Sequence, residues 1–141
     1  MNIFLDTSTL FKLYHTEIGT EEIDKIISEN EVKKIYLSVI TKIEFNSVVW
    51  KKVREKEISE EQATELIKSF EEDYKLYKFI KNDNKLINNA KQLVTKYGKE
   101  GLRTLDSIQL ASATLVKDNV DINKSADNLL NKIFELEGLK I

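Results

Sequence analysis

Four acidic residues stand where a folding chain would be expected to keep charge away. Asp6 ends the apolar run Ile3-Phe4-Leu5 and is followed by the cluster Thr7-Ser8-Thr9. Glu44, in ITKIEFNSVVW, has Ile40 and Val48 one helical turn to either side and so interrupts an apolar stripe. Asp106, in GLRTLDSIQLASA, is flanked in the same way by Leu102 and Leu110. Asp127, in KSADNLLNKIF, leads a helical pattern whose apolar positions are Leu130, Ile133 and Phe134. Burying a carboxylate without partners is costly, and carboxylates brought close together do not all stay ionised unless a cation sits between them. The chemistry such a set could perform is that of an acidic pocket for one or two Mg²⁺ or Mn²⁺ ions. Ions of that kind make a nucleophile from water and clamp the oxygens of a phosphodiester during in-line attack.

Each acid also has a plainer reading. Asp is a preferred helix N-cap, which suits Asp6 before Thr7. Glu44 could snorkel at the edge of its stripe. Asp106 and Asp127 fall in first helical turns, where the dipole favours an anion. Asp118 and Asp121 compete with Asp127 for the fourth place, although a solvated loop suits them better. Capping and dipole preferences do not explain an acid on an apolar stripe, as at Glu44 and Asp106. All four acids fall at strand–helix junctions or in first turns, which share one edge of a parallel sheet.

The elements that would position these residues follow from periodicity. NIFL reads as a strand leading into a short helix, Thr7 to Tyr14. Thr20 to about Asn30 reads as a helix with Ile23, Ile26 and Ile27 on its apolar face, and KIYLS (34–38) as a second strand. Helices are expected from Ile40 to Glu55 and, opened by Ser59-Glu60-Glu61-Gln62, to about Asp73. Tyr74 to Ile80 suits a strand or a helix tail. Lys85 to Tyr97 is helical and stops at Gly98, and Thr104 caps a helix to about Lys117. A strand near Val120 to Asn123, a helix from Ser125 to Glu137 ended by Gly138, and an edge strand at Leu139 to Ile141 complete the reading. Short apolar strands alternating with helices predict an α/β fold, a three-layer α/β/α sandwich around a central, mostly parallel sheet. Ligands bind at the carboxyl ends of such strands, and Asp6 sits at one.

With 141 residues and no linker, repeat or low-complexity stretch, a single domain spanning 1–141 is expected. There is no cysteine, so thiolate chemistry and cysteine-based zinc sites are excluded, and the lone histidine, His15, has no suitable partner nearby in sequence. Any metal chemistry must therefore use oxygen ligands, which suits Mg²⁺ or Mn²⁺. No apolar run is long enough for a membrane span, so a cytoplasmic location is expected. The net charge of −2 argues against a general basic coat for nucleic acid. Basic residues do cluster at Lys51, Lys52, Arg54 and Lys56, with Lys33 and Lys34 elsewhere, a pattern that most often marks a solvated face. Trp50, beside that cluster, suits the core or a dimer interface better than a platform for a base.

LDTSTL at the start, VITKIEF, LRTLDSIQLASA and SADNLL, in this order, resemble PIN-domain ribonucleases, most closely the VapC-type toxins of toxin–antitoxin modules. The similarity runs nearly the whole length of the chain, and the LDSIQLASA block is its most specific part. The resemblance implies a parallel sheet sandwiched by helices. It matches Asp6, Glu44, Asp106 and Asp127 to a metal-binding acidic quartet, and Ser8 to a hydroxyl near it. It also implies a metal-dependent endoribonuclease, the toxin of a type II pair, that hydrolyses RNA with metal-activated water, forms homodimers and is inhibited by an antitoxin laid across its site. The alternatives are a PIN nuclease in RNA processing or on DNA structures without an antitoxin, and a PIN-fold binding module that has lost catalysis. The chain departs from the family pattern at Gln109, where relatives often carry His. It departs again in VDINKSAD, where an apolar strand followed by Thr-x-Asp is usual.

Overall fold

A computed structural model describes residues 1–141. Alternation along the first strand sets the layers. In β1 (Asn2–Leu5) successive side chains point to opposite faces, yet Ile3, Phe4 and Leu5 are all fully buried. Both faces of the strand must then be covered. Phe4 packs with Leu86, Ala90, Leu110, Leu130 and Phe134 in one core, and Ile3 and Leu5 pack with Leu10, Phe11, Phe45, Val49 and Phe70 in a second. These are the two interfaces of a three-layer sandwich.

The sheet has the order β3-β2-β1-β4, with β2 at Lys34–Ser38, β3 at Tyr77–Ile80 and β4 at Ile122–Lys124, and every pairing is parallel. From β1 to β3 the chain steps one way across the sheet through α1 (Thr7–Phe11), α2 (Thr20–Glu29), α3 (Thr41–Arg54) and α4 (Glu60–Glu72). It then reverses through α5 (Asn84–Tyr97) and α6 (Thr104–Leu115) to reach β4 on the far side of β1, and ends in α7 (Asn128–Leu136). Right-handed crossovers put helices on one face when the chain steps one way and on the other when it reverses. The two cores divide accordingly, α1–α4 against α5–α7. The reversal makes the carboxyl end of β1 a topological switch point, where open α/β sheets bind ligands. No helix is long and apolar enough to cross a membrane.

Most elements lie where periodicity put them, including the reciprocal capping box in which Gln62 and Ser59 each bond the other's backbone N–H. The differences have local causes. α1 stops at Phe11 rather than Tyr14, because Tyr14 is drawn away to donate to Asp73 Oδ2 at 2.8 Å and to meet the Tyr77 hydroxyl at 2.6 Å. Tyr74 to Ile80 holds both of its readings in turn, a 3₁₀ turn at Tyr74–Leu76 and then β3. The helix expected to stop at Gly98 does end at Tyr97, with Gly98 as its C-cap in a right-handed conformation. Gly98 continues into a 3₁₀ turn at φ −59°, and Gly101, at φ +101°, makes the reversal that a side chain would disfavour.

Thr104 is the first residue inside α6 and not its cap; Arg103 holds the cap position without a side-chain bond. β4 is shifted to Ile122–Lys124, and Ser125 lies in the turn before α7 rather than in the helix. Leu139 to Ile141 form no strand. Only the Lys140 carbonyl reaches the sheet, accepting from the Asn123 backbone N–H (2.7 Å) and side-chain amide (3.0 Å). Trp50 is 41% exposed and so is not a core residue.

Candidate functional site

Asp6 follows the last residue of β1, and its backbone N–H bonds the Lys124 carbonyl of β4 at 3.1 Å, so the side chain lies at the switch point. The plainer reading holds together with the functional one: Asp6 Oδ1 caps α1 by accepting the Thr9 N–H at 2.9 Å. Its remaining partners are hydroxyls. Ser8 donates to both carboxylate oxygens (2.8 and 2.9 Å), and Ser125 donates to Oδ2. Ser8 also accepts the Ala126 N–H at 3.1 Å, which ties the β1–α1 and β4–α7 junctions together. None of these partners carries positive charge, although Asp6 is only 5% exposed. Burial pushes its pKa above the usual carboxylate range, and the hydrogen bonds from Ser125, Thr9 and Ser8 oppose the rise without cancelling it.

Asp106 lies in the first turn of α6, half-buried. Burial raises its pKa, the negative charges of Asp127 and Asp6 raise it further, and Arg103 lowers it in part. Like charge therefore links three of the four predicted acids in space, although they lie as much as 121 positions apart in the chain. Glu44 reaches the same region by another route. Its Oε1 accepts from the Thr7 hydroxyl at 2.8 Å and from the Gln109 amide at 2.7 Å. Thr7 is the neighbour of Asp6, and Gln109 lies one turn beyond Asp106 on α6.

Asp127 is exposed and is the N-cap of α7, its Oδ1 accepting from Leu129 N–H at 2.8 Å and Leu130 N–H at 3.2 Å. Its rivals lie at the opposite, amino ends of the strands. Asp121 Oδ2 accepts the Asn2 N–H at 2.8 Å at the start of β1, and Asp118 sits in the 3₁₀ turn that precedes β4. Of the three, only Asp127 is near Asp106 and Asp6.

The donor set fits a hard divalent cation. It is made of oxygen only, it includes a buried carboxylate with no cationic partner, and a neighbouring acid is made more basic by like charge. The acids do not form a closed cage, since no three Asp, Glu or His side chains of the chain converge within reach of one ion.

Sequence reasoning gave no role to Gln109, noted only as a departure from the family pattern, or to Thr7, Thr41 and Ser125. Gln109 and Thr7 bond Glu44, Ser125 bonds Asp6, and Thr41 bonds Thr7 and Gln109. The available signal was their spacing: Gln109 shares the Asp106 face at i+3, and Thr7 and Ser125 adjoin the two strand ends. A groove of about 430 Å³ opens next to Thr9 and Ser125, lined also by Lys12, Ile23, Lys124 and Asn131. Its two lysines are paired, Lys12 with Glu17 at 3.1 Å and Lys124 with Glu22 at 3.3 Å. The basic cluster on α3 is also partly neutralised. Lys52 bonds Glu57 at 3.0 Å and Glu17 at 3.3 Å, and Lys51 lies 3.9 Å from Glu55. His15 is half-buried with its ring 5.6 Å from that of Phe11.

Compared with protein families, residues 3–120 match the PIN domain, a span that contains Asp6, Glu44 and Asp106 and ends before Asp127. No curated protein matches the chain significantly in sequence. Among solved structures the fold is similar to that of Mycobacterium tuberculosis VapC20, described as a Sarcin-Ricin loop cleaving toxin. That match has a TM-score of 0.69 and 13% identity, and covers 93% of this chain and 94% of the other. VapBC-1 from nontypeable Haemophilus influenzae matches with a TM-score of 0.65 and 14% identity over 99% and 96% of the two chains. FitAcB from Neisseria gonorrhoeae matches at 0.63 and 16% over 98% and 94%.

Proposed function

The chain belongs to the PIN domain family, and from that premise we propose that residues 1–141 form one nuclease domain, a metal-dependent endoribonuclease acting as the toxin of a type II toxin–antitoxin pair. The observation that carries the reading is the Asp6 carboxylate, buried at the switch point of the sheet with only neutral partners and with Asp106 and Asp127 close enough to act on one another. Asp6, Glu44, Asp106 and Asp127 would hold Mg²⁺ or Mn²⁺. When bound, such an ion supplies positive charge that activates a water and offsets the charge developing on the phosphodiester oxygens.

The chain's own groups keep the acids in position. Ser8, Ser125 and the Thr9 N–H fix both oxygens of Asp6, so its carboxylate cannot rotate away. The cap bonds to Asp127 occupy Oδ1 and leave Oδ2 to the site. An RNA strand would approach along the groove beside Ser125 and Thr9. Similarity in fold to VapBC-1 and FitAcB supports a cognate antitoxin as partner, and the absence of a membrane-spanning helix is compatible with a cytoplasmic site of action.

The test of substrate is cleavage by the purified protein, with Mn²⁺, of matched single-stranded RNA, single-stranded DNA and flapped duplex DNA. The expected result is cleavage within the RNA alone. Preference for the DNA would favour a PIN nuclease acting on DNA structures, and cleavage of none of them would favour a binding module.

A homodimer is part of the proposal. Ile43 (73% exposed) and Trp50 (41%) lie seven residues apart on α3 and so share one outward face, which a second copy would cover. Light scattering at micromolar concentration should give twice the 16.4 kDa mass of the chain. A single-chain mass across that range would remove the dimer from the account.

A further inference from the structure

The amide of Gln109 is the least expected group near the acids. It is 2% exposed, and its NH₂ end faces three acceptors: Glu44 Oε1 at 2.7 Å, and the hydroxyls of Thr7 and Thr41 at 3.2 Å each. Its own oxygen is buried without any partner. Leaving an acceptor unsatisfied is costly, so this orientation needs a reason. Reversing the amide would set its oxygen against Glu44 Oε1, two acceptors at hydrogen-bond distance, and would strand the NH₂ group. Glu44 Oε1, which accepts from both Thr7 and Gln109, therefore selects the orientation of Gln109, and in return Gln109 restrains Glu44.

The consequence lies in which oxygen is used. Glu44 Oε1 receives two donors, the Thr7 hydroxyl at 2.8 Å and the Gln109 amide, and Oε2 receives no donor from the protein. Thr41, whose hydroxyl lies 3.1 Å from that of Thr7, closes the cluster. The restraint joins three elements, because Thr7 begins α1, Glu44 sits in α3 and Gln109 in α6. We infer that Gln109 is a positioning residue, which with Thr7 pins Glu44 Oε1 so that Oε2 alone is offered to a divalent cation. This rests on the reading of the acids as a metal site. Groups that orient a ligand from behind typically change metal affinity or activity by ~10–100-fold when removed.

Gln109→Met is the direct test, since Met nearly matches Gln in shape and has no N–H. Mn²⁺ affinity, read by electron paramagnetic resonance on the folded protein, should fall by at least about tenfold. The kcat for RNA should fall with it, while KM stays near the parent value. Gln109→His restores an N–H at that position and should recover most of the Mn²⁺ affinity. Thr7→Val, which removes the other donor to Oε1 without changing shape, gives the same reading should Gln109→Met unfold. A merely structural Gln109 predicts a lower Tm with Mn²⁺ affinity kept in the folded fraction. Parent-like Mn²⁺ binding by folded Gln109→Met, or by Thr7→Val in its place, would overturn this inference alone. A parent protein that binds no Mn²⁺ would overturn the metal reading and this inference together.

Discussion

Asp106→Asn should reduce RNA cleavage by about 10²–10³-fold or more, the scale of losing one preorganised electrostatic group at a reacting centre. Asn keeps the size of Asp and its place in the first turn of α6, and removes only the charge. The stability of the metal-free protein should not fall. Burial dominates the surroundings of Asp106, followed by the like charges of Asp127 and Asp6, and only the charge of Arg103 opposes them. The pH dependence of the change has a definite sign. Because the pKa is raised, the folded chain holds the Asp106 proton more tightly than the unfolded chain, whose value lies near 3.8. The ionised group therefore costs stability at neutral pH. That cost fades as pH falls through the raised pKa and is gone below the unfolded value. The Tm of Asp106→Asn should thus equal or exceed that of the parent at pH 7.5, with any advantage narrowing toward pH 4. A drop of several degrees at neutral pH, with cleavage kept in the folded fraction, would make Asp106 a structural residue.

Glu44 and Asp106 stood out as candidates because a charge inside an apolar helical stripe conflicts with local patterning, and such conflicts tend to sit at functional sites. The sheet was legible for a related reason: the unbroken run Ile3-Phe4-Leu5 only makes sense in a strand covered on both faces. Asp127 was harder to place, because helix capping and metal binding ask for the same residue at the same position. Distance in space separates it from Asp121, which bonds the Asn2 N–H at the amino ends of the strands, and no local rule supplies that fact.

The groups that hold the acids were the least legible. Gln109 and Glu44 are 65 residues apart, and Ser125 and Asp6 are 119 apart. Polar residues that pair over such separations leave no periodic trace. Boundaries failed where tertiary bonds override local preference, as when Tyr14 leaves the end of α1 to bond Asp73 and Tyr77. The shift of β4 has the same origin. The strand expected near Val120 to Asn123 runs instead from Ile122 to Lys124 with buried Asn123 at its middle, where its N–H and side-chain amide donate to the carbonyl of Lys140, 17 residues further on.

The central claim, that the acids act through a divalent cation, also carries the largest expected effect. The chain has no cysteine, and its one histidine is half-buried against Phe11, outside the group of acids. The titratable groups gathered at the site, Asp6, Asp106 and Asp127, are carboxylates, which are weak bases by themselves and repel a phosphodiester. Rate should therefore depend almost wholly on the ion. Binding should also relieve repulsion among Asp6, Asp106 and Asp127, so the folded state should gain ~2.7 kcal/mol when the ion stands at 100 times its Kd.

The measurement that tests this most directly is cleavage of a labelled single-stranded RNA by purified protein as Mn²⁺ or Mg²⁺ is titrated, with and without excess EDTA, and with Asp106→Asn prepared in parallel. Cleavage should rise and saturate with the ion, stop in EDTA, return when the ion is restored in excess, and be lower by at least about 10²-fold in Asp106→Asn. Cleavage that persists in EDTA and is shared by Asp106→Asn would show a contaminant. Cleavage that persists in EDTA and is lost in Asp106→Asn would contradict the metal mechanism itself.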